Sequence, residues 1–143
     1  MTFDPNAYGP EVAAILALDT QPAAALALLK TTSARQLFPH ARAPEAALAG
    51  LYLRCGAWNE AHEIAQDIAT PEGSYWHALV HRAEPDESNA AYWFRQTGRH
   101  PIFAELANAA HKPTWDPFSV SDPEIQRLEW QLLFDYCASG TNS

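Results

Sequence analysis

The chain has 143 residues, 48% of them hydrophobic and 18% charged, which suits one domain with a buried core and excludes disorder over most of its length. Nine Lys and Arg against 17 Asp and Glu give a formal charge of −8, so a phosphate backbone or an anionic lipid surface is repelled and neither nucleic acid nor membrane is an expected partner.

Near the N-terminus there is an acid at Asp4 and no early Lys or Arg, and the apolar run Val12 to Leu18 is stopped by Asp19. That pattern is neither a signal peptide nor a membrane span. A second run, Ala23 to Leu29, is cut off from the first by Asp19, Thr20, Gln21 and Pro22. Cys55 and Cys137 lie in helix-like stretches without metal-type spacing. The expectation is a reducing, cytoplasmic location with both thiols packed as small hydrophobes.

Pro followed by Glu opens four stretches rich in Ala, Leu or aromatics, at Pro10, Pro44, Pro71 and Pro123. Proline suits the first helical position because its missing N–H would go unpaired there, and the glutamate meets the positive end of the helix dipole. Thr70 and Asp122 stand at N-cap positions. Helices are therefore predicted near 10–18, 22–31, 44–55, 58–69, 72–84, 87–98, 101–111 and 122–138, with no strand. In the last of these Ile125, Leu128, Leu132 and Tyr136 share a face that Trp130, Leu133, Phe134 and Cys137 widen. Such a helix is buried on more than one side, covers the end of the stack, or pairs in a homodimer. The stretch 112–120, with Trp115 and Phe118, reads as a loop packed onto the body.

Leu48, Ala49, Tyr52, Gly56, Trp58, Glu60 and Ala61 stand at the spacing of a tetratricopeptide repeat, and the middle of the chain resembles that class. The pattern departs at Ala65, at Glu45 and at the early Pro71. Asp86, Ala90, Trp93, Phe94 and Gly98 resemble the second half of a Sel-type repeat. The block from Tyr75 to Pro101 is also similar to a family of uncharacterised bacterial and fungal helical proteins, which implies no activity. The resemblance implies an all-α, single-domain stack of antiparallel helical pairs over residues 1–143, about seven or eight helices in a right-handed superhelix. Its repeat-like core would be 44–98, and 10–31 and 122–138 would be flanking caps.

Chemistry concentrates in residues 75–100. His77 and His81 lie four apart on a predicted helix, so both rings project from one face as in two-histidine metal sites. His62, Asp86 or His100 would supply a third ligand, although His62 by itself reads as a solvated surface histidine. The plain alternative places His77 and His81 beside the apolar stripe of Trp76, Val80 and Ala83, hydrogen-bonded to backbone or acids. A third reading gathers His77, His81, Arg82, Asn89, Tyr92 and Arg95 into one polar, aromatic-walled pocket. No Gly-rich phosphate loop and no serine elbow occurs. The expectation is a non-enzymatic binding or scaffold module for a peptide or small polar ligand; the alternative is a small metal-dependent or acid/base enzyme using His77 and His81. No cofactor is required by the sequence, and a divalent metal is the one this histidine pair would take.

Overall fold

Each Pro–Glu pair does start a helix. The computed structural model, which describes residues 3–140, contains among them nine α-helices and one 3-10 turn. They are α1 (Pro10–Leu16), α2 (Pro22–Leu29), α3 (Ala34–Leu37), α4 (Pro44–Arg54), α5 (Trp58–Gln66), α6 (Pro71–Ala83), α7 (Glu87–Thr97), α8 (Phe103–Ala109), the 3-10 turn Pro117–Ser119, and α9 (Pro123–Ala138). Thr70 Oγ1 accepts from the Gly73 amide and Asp122 Oδ1 from the Glu124 amide, so both expected caps are made. Gly56, at φ 79°, takes the left-handed conformation that ends α4, with the Ala57 amide bonded to the Tyr52 carbonyl at 2.9 Å. The one-turn α3 is an addition to the predicted set. Four residues carry no periodicity, and only the Ser33 cap announces it.

The all-α expectation holds among the described residues, where β structure is limited to an isolated bridge between Ala41 and Gly140. No helix among them is long and apolar enough to cross a membrane. The most extensive packing joins α6 to α7, then α4 to α5, then α5 to α6, so the middle of the chain is a run of neighbouring helices. Rather than stacking beyond α8 as an outer cap, α9 packs chiefly across α4. The strand-like segment before α4 is stitched to its end by Arg42 N–H to Ser139 O (2.6 Å) and Ala43 N–H to Cys137 O (2.9 Å). Trp130 and Phe134 of α9 stack on one another at 4.8 Å between centroids and are buried within this chain.

At the crossing of α4, α6 and α9 lies the fully buried Trp76. A Cβ on Gly50 would stand 2.6 Å from its indole, so glycine is what lets α4 approach this closely. The carbonyl of the same Gly50 accepts the Trp130 indole N–H at 2.9 Å. Both cysteines are free and buried, and burial pushes their thiols up, Cys55 to about 11 and Cys137 to about 12. They are packing residues, protonated at neutral pH. In the 112–120 loop Trp115 packs on the core, whereas Phe118 stays exposed with its ring 5.8 Å from Phe94.

Candidate metal site

Helix α5, with Ala61 and Ala65 buried, packs against both α4 and α6, and His62, next along from Ala61, meets His77 of α6. On α6 the four-residue spacing does what the sequence implied. The rings of His77 and His81 lie nearly parallel with centroids 5.0 Å apart. His62 stands edge-on to both, at 4.4 Å from His77 and 5.3 Å from His81. Its Nε2 is 2.9 Å from Nε2 of His77. One nitrogen from each of the three rings fits within a 4.8 Å span. His62 is thus half-buried and engaged, not the solvated surface histidine expected; its partners lie on a neighbouring helix, which sequence spacing cannot display.

His77 is 4% exposed and carries the indole of Trp93 flat against it, 3.9 Å between centroids and 15° between planes. Burial first, then the neighbouring His62 and His81, push its pKa down to about 4. The ring is neutral at pH 7 and one nitrogen keeps a lone pair. Its Nδ1 is buried with no hydrogen-bond partner among the described residues. An unsatisfied buried polar atom costs roughly 1–3 kcal/mol, which Nδ1 sets against the Nε2 contact with His62 and the stack on Trp93. His81 has Glu84 Oε1 at 3.2 Å and Asp86 Oδ2 at 3.9 Å from its Nδ1, on the outer edge of the cluster.

The remaining predicted site residues are not gathered around the histidines. Arg82 turns into the core, where its guanidinium pairs with the carboxylate of Glu129, which is fully buried and also accepts the Tyr75 hydroxyl at 2.6 Å. Asn89 donates to Asp86 Oδ2 at 2.7 Å within the cap of α7. Tyr92 is exposed and edge-on to Trp93 at 5.0 Å, and Arg95 is exposed. Asn89, Tyr92 and Arg95 stand at exposed positions of α7, whereas Trp93 and Phe94 meet His77 and Tyr75 of α6. A cavity of about 360 Å³ is lined by Trp58, Asn59, Glu60 and Glu84 among others, and by none of the three histidines.

His100, the other candidate third ligand, is committed elsewhere. Its Nδ1 accepts the Ile102 amide at 3.3 Å, so the proton sits on Nε2 and is given to Glu72 Oε2 at 2.7 Å. That hydrogen bond holds the Glu72 carboxyl below its usual range, against the opposing effect of burial. A lowered carboxyl pKa contributes stability above the unfolded value, about 4.3, that disappears as pH falls through the folded one. Wild type is therefore expected to exceed Glu72→Gln by about 1–2 kcal/mol at pH 7. The gap should close as denaturant melts are taken below about pH 4.

Three imidazoles within one span, one of them neutral and buried, are a donor set suited to a borderline divalent ion such as zinc. Tetrahedral zinc with nitrogens at about 2.0–2.1 Å sets its donors roughly 3.3 Å apart, so closure asks for ring movement on the order of 1 Å. His62 and His81, half-buried at the edge, can supply it. Compared with protein-family models, with curated proteins and with solved structures, the chain gives no match.

Proposed function

We propose that this chain is a helical binding module whose ligand is a divalent transition-metal ion, zinc in the first instance, held by His62, His77 and His81. The observation that carries the proposal is the convergence of three imidazole nitrogens within 4.8 Å from two different helices. The 2.9 Å approach of His77 Nε2 to His62 Nε2 supports it, since ring nitrogens from neighbouring helices already face one another there. Three protein donors leave a tetrahedral ion one position for water or a small ligand, the ligand count of catalytic zinc sites rather than closed structural ones. The expectation of a peptide or small polar ligand narrows, in this proposal, to the group filling that position. The proposal also keeps the right-handed, tetratricopeptide-like stacking of α4 to α7, supported by the packing of each of these helices on the next and by the close approach at Gly50.

Titration calorimetry of the chelator-stripped protein with zinc tests the proposal. One equivalent is expected to bind, and His62→Ala, His77→Ala and His81→Ala should each lose at least about tenfold in affinity, as removal of a direct ligand costs no less than loss of its supporting partner. Wild-type affinity in all three variants would sink it. A metal-dependent enzyme on the same ligands is the second reading, favoured by the three-donor count. Zinc-dependent turnover of p-nitrophenyl acetate, lost in His81→Ala, would select it.

A further inference from the structure

His81 must present one particular nitrogen to the cluster, and the α6–α7 turn carries a device that decides which. Glu84 caps α6, its amide bonded to the Val80 carbonyl at 3.1 Å, and the Asp86 amide returns to the His81 carbonyl at 2.7 Å. This fold-back sets two carboxylates on the Nδ1 edge of His81, Glu84 Oε1 at 3.2 Å and Asp86 Oδ2 at 3.9 Å. Asp86 is already occupied: Oδ1 accepts the Asn89 amide and Oδ2 the Asn89 side-chain N–H. The Glu84 side chain makes no other polar contact among the described residues, and His81 Nδ1 is shielded from water without an aligned hydrogen bond. Glu84 is the acceptor within reach of that atom.

We propose that Glu84 is a positioning residue that holds neutral His81 as its Nδ1–H tautomer and so turns the Nε2 lone pair toward His62 and His77. An ionised carboxylate only accepts, so the nitrogen facing it must carry the ring's single proton and the opposite nitrogen must be bare. Free neutral histidine prefers the reverse, with the proton on Nε2, which would block coordination through that atom. Glu84 reverses the preference before any ion arrives, and with zinc bound it accepts the Nδ1–H as the outer partner of a ligating imidazole. The inference rests on the metal reading only for its effect on zinc affinity; the tautomer belongs to the metal-free protein.

The experiment pairs two measurements on the full chain and on Glu84→Ala, Glu84→Gln and Asp86→Asn. Long-range nitrogen–proton NMR correlation at about pH 8, where an ordinary imidazole is neutral, reads the His81 tautomer without metal. Zinc titration reads affinity. Wild type and Asp86→Asn are expected to carry the proton on Nδ1, and Glu84→Ala on Nε2. Glu84→Ala should lose about 10–100-fold in zinc affinity, Glu84→Gln, which keeps an acceptor oxygen, should recover most of it, and Asp86→Asn should stay near wild type. A wild-type His81 protonated on Nε2, or a Glu84→Ala protein that binds zinc as wild type does, overturns the proposal. A wild type that binds no zinc at all removes the metal reading by itself, while the tautomer still decides what Glu84 does.

Discussion

Glu129→Ala is expected to lower the melting temperature by roughly 10–15 °C, the equivalent of about 3–4 kcal/mol. Glu129 is fully buried in α9, paired with Arg82 of α6 and accepting the Tyr75 hydroxyl. Removing the carboxylate leaves a largely buried guanidinium without its counter-ion and Tyr75 without its acceptor, and both penalties fall on the α6–α9 contact. Tyr75 reports the same field from its own side: burial, then the Glu129 charge, hold its pKa well above the phenol range. The double variant Arg82→Met/Glu129→Met should recover much of the loss, because replacing a buried pair by apolar groups of similar volume is often neutral or favourable. Thermal melts of Arg82→Met, Glu129→Met and the double variant close the cycle. A double variant as unstable as Glu129→Ala would show that packing, not charge, is what the pair provides.

Local chemistry explains what was legible before the structure. Pro10, Pro44, Pro71 and Pro123 each start a helix because a fixed φ and a missing donor act on one residue at a time. The His77 and His81 pairing was visible for the same reason, since helix geometry alone sets two rings four residues apart on one face. His62 is fifteen residues from His77 and reaches it because α5 packs against α6. That relation lives in interhelical packing, which one chain's spacing does not encode. Arg82 illustrates the reverse error. Placed beside His81 in a polar stretch, it looked like a ligand-binding cation, yet it faces α9, forty-seven residues away, and neutralises Glu129. A trace was present in α9 itself, where Glu129 stands one turn after Ile125 and one turn before Leu132 and Leu133. A charged residue there calls for a counter-ion, and the nine Lys and Arg offered few candidates. The turn Glu84 to Asp86 was legible as a turn, whereas its carboxylates' aim at His81 depends on how α6 ends.

His77→Phe is expected to melt no lower than metal-free wild type and to gain nothing from zinc, where wild type gains roughly 8–12 °C at a hundredfold excess over its Kd. The phenyl ring keeps the flat stack on Trp93 and drops two buried nitrogens, one of which has no partner in the metal-free fold. If the imidazole were there to hold the core, its polar atoms would be satisfied and their loss would cost stability. Nε2 of His77 has its partner in His62 while Nδ1 has none among the described residues, so the metal-free imidazole carries one unpaired buried atom that a phenyl ring does not. Differential scanning fluorimetry with and without zinc measures both halves in one series. A fall of several degrees in the metal-free His77→Phe protein, with zinc still stabilising it, would assign the ring to the fold and the ion to other ligands.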